Sequence, residues 1–228
     1  MASFRTHISF GIACGVLSAF AITSLALVPA SWSFSILIGL AVTLGAQLPD
    51  MDSDSGLPFH ITFGSLSLVA AALSGLYVWQ VYPDNYALLV AVPLIALYVV
   101  WVIIGSIFKK FTRHRGMAHS IPAGMLAGLL AFSLTTWLGF PDWQAFLLGL
   151  GISFGFLVHL ILDEVWAGLN FHGQLFVPNK AFGSALKLVS HDQRLTAIVY
   201  LAIAGLITIN FQDFQIMTTH LIVSLAAL

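Results

Sequence analysis

Charge is the scarcest property of this chain. Only 7% of its 228 residues are Asp, Glu, Lys or Arg, while 59% are hydrophobic. Ordinary soluble domains carry about 25% charged residues, so a surface facing water on all sides is excluded. Eight Lys and Arg nearly balance nine Asp and Glu for a net charge of −1, and the pI is near 6.7. A basic stripe is missing, which argues against nucleic acid as a partner. Cysteine is almost absent too. Cys14 alone excludes an internal disulfide and a Cys-based zinc site, and within an apolar run it reads as a small residue packed between helices. Long linkers, low-complexity tracts and repeats are also lacking, so a single integral-membrane domain over residues 1–228 is expected. The alternation and turn rhythm of a transmembrane barrel are not found.

Apolar length is what the chain has in abundance. Mean hydropathy is +0.98, and there are eighteen Phe and six Trp. Several runs approach the roughly 20 residues that a helix needs to cross the hydrocarbon core. Backbone groups left unpaired cannot face lipid, so the spans should be helices. The expected fold class is all-α: a polytopic transmembrane helical bundle of about seven spans plus a short C-terminal apolar segment. The spans fall near residues 8–28, 32–48, 61–82, 86–108, 120–138, 143–162 and 195–211, and the tail 216–228 is too short to cross comfortably. Arg5 before an apolar stretch, with Val28-Pro29-Ala30 after it, has the outline of a secretory signal. That stretch is longer than a usual signal core and reads as a retained first helix.

Basic residues orient the bundle. With the N-terminus in the cytoplasm, segments 1–7, 49–60, 109–119 and 163–194 are internal, and all eight Lys and Arg fall in them. The outer connections carry interfacial aromatics instead: Trp32, Tyr82, Tyr86, Trp137 and Trp143. The expected protein is therefore multi-pass, with its N-terminus in the cytoplasm and the lipid bilayer as its main partner.

That orientation used only Lys and Arg, yet it gathers a second set of residues on the same side. His7, Asp50 with Asp52, His114 with His119, and His159 with Asp163 each begin or end a hydrophobic span. Ionisable side chains at membrane depth are costly and usually line a site or pathway. His159 and Asp163 share one helical face at i,i+4. They could bind one metal, the carboxylate could orient the imidazole, or the two could form a simple hydrogen bond. Leu48-Pro49-Asp50-Met51-Asp52-Ser53-Asp54 stops a helix at proline and presents carboxylates on a loop. It is not an EF-hand, because Ser55 stands where the turn glycine belongs and Ile61 where the closing glutamate belongs. Alternating Asp residues there suit a ligand that bridges two metals, Asp54 being the weakest of the three.

His114-Arg115-Gly116-Met117-Ala118-His119-Ser120 is the most distinctive stretch. Its glycine permits a sharp turn into the fifth helix, and Arg115 is suited to hold an anionic oxygen beside a helix start that favours phosphate. Lys109, Lys110 and Arg113 read as plain positive-inside anchors. Of the remaining histidines, His60 could support the site from a distance, His172 and His191 read as surface residues, and His220 belongs to the opposite side.

These ordered motifs resemble those of the YdjM-like family. Arg5-Thr6-His7, Leu48-Pro49-Asp50-Met51-Asp52, the 114–120 stretch and His159-Leu160-Ile161-Leu162-Asp163 carry the resemblance, which runs from residue 6 to about 185. The family is described as LexA-binding, inner-membrane-associated, metal-dependent hydrolases. The resemblance implies a metal centre with His7, Asp50, Asp52, His114, His119, His159 and Asp163 as ligands or their immediate partners. The chain departs from the pattern after Asp163, where Glu164 through Pro178 forms a longer insertion.

Four His and three Asp exceed the needs of one tetrahedral zinc. Seven N/O donors without sulfur suit one or two divalent ions, zinc or manganese first and iron next. The expected function is a membrane-bound metal-dependent hydrolase that cleaves a phosphoester of a lipid or other phosphorylated membrane substrate. Asp52, or Asp50, would accept a proton from the water, and Arg115 would bind the phosphoryl group. Two rival classes remain. A divalent-metal or proton transporter should carry ionisable groups at mid-depth, where these spans hold Gly, Ser, Thr and aliphatics. A non-catalytic docking partner of a regulator would need a protein surface that no motif here encodes. The zincin pattern H-E-x-x-H is missing, which argues against peptide hydrolysis of that type.

Overall fold

The structure, a computed structural model, describes residues 3–25, 31–52, 57–107, 116–168 and 183–226. Every regular element among the described residues is helical, as the hydropathy pattern requires. In chain order they are α1 (Phe4–Leu25), α2 (Trp32–Gly45), a 3-10 turn (Leu48–Asp52), α3 (Leu57–Val81), α4 (Tyr86–Tyr98) continuing into a π-helical stretch (Val99–Ile104), α5 (Ile121–Trp137), α6 (Asp142–Gly168), α7 (Gln193–Ile209) and α8 (Phe211–Ala226). The chain divides into two compact units, residues 1–49 with 115–228, and residues 50–114.

The smaller unit is an antiparallel pair. Gly64 of α3 lies against Trp101, Gly75 against Pro93, and Gly105 against Phe59, a register that runs oppositely along the two helices. Asn85 caps α4 by accepting a hydrogen bond from the Leu88 N–H at 3.1 Å. Apolar side chains cover α4, none of whose span is buried within the protein. Such a surface suits lipid.

In the larger unit α6 is the central helix, packed against α1, α2, α5 and α8. Lipid tails are as apolar as leucine, so helices associate in a membrane where small residues allow close van der Waals contact. A Cβ at Gly155 of α6 would overlap the Val42 carbonyl of α2, and one at Gly45 would overlap the Ile152 backbone. The backbones of α2 and α6 therefore touch. Gly128 and Gly149 do the same for α5 and α6, and Gly15 and Gly39 for α1 and α2. Phe34, Ile38, Ala41, Leu148 and Ile152 fill the core beside these crossings.

Among the described residues, five helices can cross a membrane by length and composition, or six if α7 and the start of α8 count as one bent span. The sequence suggested about seven. α5 falls short because Ser120 caps it at one end, its Oγ accepting from the Ala123 N–H at 3.4 Å, and it stops at Trp137 before a turn in which Gly139 takes φ +83°. The seventh run is also not a straight span with a free tail. Asn210 is buried and donates from Nδ2 to Ser133 Oγ at 2.8 Å and to the Leu206 carbonyl at 2.7 Å. The chain bends there by 60°, and α8 returns to the bundle with Phe214 stacked on Phe132 at 4.8 Å.

Candidate metal centre

Three places in the larger unit supply the site. α1 begins at Phe4, four residues earlier than hydropathy indicates, which puts His7 in its first turn. The N–H of His119 bonds the Gly116 carbonyl at 3.1 Å, closing a turn just before α5. Ser120 then fixes the helix start, donating to the Met117 carbonyl at 2.6 Å while capping α5. α6 supplies His159 and Asp163 and continues to Gly168, so this pair sits inside a helix rather than at its end.

Asp163 is the hub. Its Oδ1 lies 3.2 Å from His7 Nε2, and its Oδ2 lies 3.0 Å from His119 Nε2 and 4.0 Å from His159 Nε2. The imidazoles of His7 and His159 stack with centroids 3.7 Å apart and planes 11° apart. All four side chains are at most 4% exposed. Taking a carboxylate out of water costs several kcal/mol unless partners compensate, and here imidazoles approach both of its oxygens.

Backbone carbonyls set the histidine tautomers. His159 Nδ1 lies 2.7 Å from the Ala46 carbonyl, which can only accept, so Nδ1 carries the proton. In a neutral ring Nε2 then holds a lone pair, and it is turned toward Asp163 Oδ2. His119 repeats the arrangement with a longer contact, Nδ1 to the Pro49 carbonyl at 3.4 Å. The close α2–α6 packing at Gly45 and Gly155 is what brings the Ala46 carbonyl within reach.

Two acceptors face each other across this site, and only a proton or a metal cation between them makes the contact favourable. The donor set fits a cation. His119, His159 and Asp163 each offer a ligand atom within 4.8 Å of the others. Two donors ~2.1 Å from a tetrahedral zinc are roughly 3.4 Å apart, and the separations of 3.0 and 4.0 Å bracket that value. His7 adds independent support. With Nε2–H donated to Asp163, its Nδ1 is buried and has no hydrogen-bond partner among the described residues. A buried polar atom left unsatisfied costs about 1–3 kcal/mol, and a metal would satisfy it. Carbonyl-anchored imidazoles of this kind are the usual way proteins orient metal-binding histidines.

Within the larger unit the structure brings together four of the seven residues that the sequence nominated as ligands: His7, His119, His159 and Asp163. Asp50 and Asp52 lie in the 3-10 turn, Asp50 opening the smaller unit directly after Pro49. His114 and Arg115 lie outside the described residues, as does His172. His60 is not ahead of the third helix but within α3, where its exposed ring lies 5.7 Å from that of Trp101. His191 is exposed, and its neighbour Asp192 caps α7 by accepting from the Arg194 N–H at 3.0 Å.

Sequence reasoning missed three parts. The carbonyls of Ala46 and Pro49 carry no side-chain signal at all. Glu164 did carry one, because a second carboxylate beside Asp163 in an apolar helix is costly. It is 9% exposed and accepts from the N–H groups of Gly183 at 2.7 Å, Ala185 at 2.7 Å and Leu186 at 3.2 Å.

A family model described as YdjM inner membrane protein matches residues 1–228, the whole chain. No curated protein and no solved structure matches it.

Proposed function

Since this chain belongs to the YdjM inner membrane protein family, we propose that it is a membrane-embedded hydrolase that uses a divalent ion held by His7, His119, His159 and Asp163. One observation carries the reading: a buried carboxylate ringed by imidazoles, with His159 anchored through Nδ1 to the Ala46 carbonyl so that Nε2 points inward. A divalent ion bound there supplies a Lewis acid that activates water for hydrolysis. The chain's own contribution is to fix the donors in place. Ala46 and Pro49 hold two imidazoles by their Nδ1 atoms, His7 packs flat on His159, and Asp163 neutralises positive charge at the centre.

The substrate class proposed is a phosphoester of a lipid or polyprenyl headgroup, since the donors come from the first turn of α1, the turn before α5 and the C-terminal half of α6, and the ends of apolar helices lie toward the headgroups. The inner face of the membrane is the proposed side, from the distribution of Lys and Arg. The motif-based roles of Asp52 as proton acceptor and Arg115 as phosphoryl-binding residue rest on sequence spacing, as does that of His114.

The test is phosphate release from vesicles containing phosphatidic acid or a polyprenyl phosphate, with the purified protein loaded with Zn2+ or Mn2+. Release that disappears with a chelator and in Asp163→Ala supports the reading. Asp52→Asn and Arg115→Ala should slow release while metal content stays at wild-type level. Retention of no divalent ion by the purified protein would refute it, and Zn2+ flux into proteoliposomes without hydrolysis would assign transport instead.

A further inference from the structure

Glu164 follows Asp163 in the chain but faces a different set of atoms. Its carboxylate accepts three backbone N–H bonds from residues 183–186, with Oε2 on Gly183 and Oε1 on Ala185 and Leu186. Gly183 takes φ +80°, a conformation open mainly to glycine, and this allows the turn that aims successive N–H groups at one carboxylate. Ala185 is buried against Phe156 and Leu160 of α6. One residue past that clamp, the Lys187 carbonyl accepts the N–H of Ile121, the first residue of α5, at 3.2 Å. Further along, Tyr200 Oη donates to the Leu188 carbonyl at 3.1 Å, and Thr196 Oγ1 accepts from the Ser190 N–H at 3.0 Å.

These bonds, together with the 3.0 Å contact between His119 Nε2 and Asp163, close a ring. From Glu164 it passes through residues 183–187 to the N–H of Ile121, then two residues back to His119, from His119 Nε2 to Asp163, and so to Glu164 again. His119 stands on a turn before α5 rather than within a helix, so its own element does not set its distance from α6. The segment 183–187 bonds the start of α5 to Glu164 of α6 beside that turn. A free N–H at the start of a helix needs an outside acceptor, and Ile121 has one supplied by a segment that Glu164 holds.

We infer that Glu164 is a positioning residue for the metal centre: by clamping residues 183–186 to α6 it holds the start of α5, and so sets His119 against Asp163. This rests on the metal-binding reading of the same site. The Glu164 carboxylate is taken up by three backbone N–H groups, and its role is exerted through His119.

Two measurements test it. Co2+ affinity is measured by titration of visible absorption for the full-length protein in detergent, comparing wild type, Asp163→Ala, Glu164→Ala, Glu164→Gln and the remote variant Asn210→Ala. Imidazole 15N shifts of His119 are recorded on the metal-free protein. Glu164→Ala should weaken Co2+ binding by about 10–100-fold, the range for groups that orient metal ligands, and should shift the His119 resonances. Glu164→Gln, whose amide oxygen can keep the bonds to Ala185 and Leu186, should recover much of the loss. Asn210→Ala should lower thermal stability without moving either readout, which separates positioning from general destabilisation. If Glu164→Ala does not fold, Gly183→Ala strains the same segment with the carboxylate intact and should give the same direction of change. Wild-type Co2+ affinity and unchanged His119 shifts in Glu164→Ala would overturn the inference while leaving the metal centre standing. Equal Co2+ binding by wild type and Asp163→Ala would remove the metal reading, and the His119 shifts would still decide whether Glu164 positions that ring.

Discussion

The imidazole of His7 lies flat on that of His159, centroids 3.7 Å apart, and joins the first turn of α1 to the middle of α6. Stacking and ligation can be separated at this position. His7→Phe keeps an aromatic face on His159 but removes both nitrogens, so Zn2+ content should fall at least tenfold while the melting temperature stays near that of metal-free wild type. His7→Ala loses the ring contact as well, a further cost of about 0.5–1.5 kcal/mol for an aromatic pair. Elemental analysis and thermal unfolding of the two variants distinguish the contributions.

Asp163→Asn is nearly isosteric but removes the charge that three imidazoles surround. Divalent-ion binding should be lost, as measured by equilibrium dialysis with Zn2+. The same variant should respond less than wild type to added metal in thermal unfolding.

The α2–α6 crossing gives a matched pair of glycine substitutions. Gly155→Ala puts a methyl group into the Val42 carbonyl and the Ala46 N–H, so α2 must move and the 2.7 Å bond from His159 to the Ala46 carbonyl must lengthen. Overpacking of this kind costs about 1–3 kcal/mol, and metal affinity should fall with stability. A Cβ at Gly205 on α7 meets nothing within 4 Å. Gly205→Ala should therefore be neutral or stabilising by about 0.5–1 kcal/mol and leave metal binding alone.

Asn210 is the polar pin of the bend between α7 and α8. Asn210→Leu removes the donors to Ser133 and to the Leu206 carbonyl, which should cost about 1–2 kcal/mol in denaturant unfolding. Metal affinity should not change, because the pin and the metal centre lie on different parts of the bundle's bonding network.

Chelation should destabilise the protein. A ligand that binds only the folded state at 100 times its Kd stabilises by about 2.7 kcal/mol. Treatment with a chelator should lower the melting temperature, and stoichiometric Zn2+ or Mn2+ should restore it in wild type but not in Asp163→Asn.

The helices were legible because burial in lipid demands long apolar runs, and the ends came out within a few residues where a cap residue marked them, as at Trp32 and Tyr86. Boundaries drifted where polar side chains are satisfied inside the fold. His7 and Asp163 looked like span ends because they are ionisable, yet α1 begins before the first and α6 continues past the second. The bend at Asn210 was hidden for a related reason, since hydropathy does not report whether a single amide in an apolar run pairs across helices.

Composition and periodicity alone determined that this chain is helical, lives in a membrane and holds His and Asp residues near the ends of its apolar runs, because those properties depend on each segment's own solvation. The partners of those residues were decided by tertiary structure. Which carbonyl meets which imidazole depends on how closely two backbones approach, and that distance is set by glycines on both helices at once. The same holds for Glu164, whose role depends on backbone N–H groups some twenty residues away, a pairing that exists only once the chain has closed on itself.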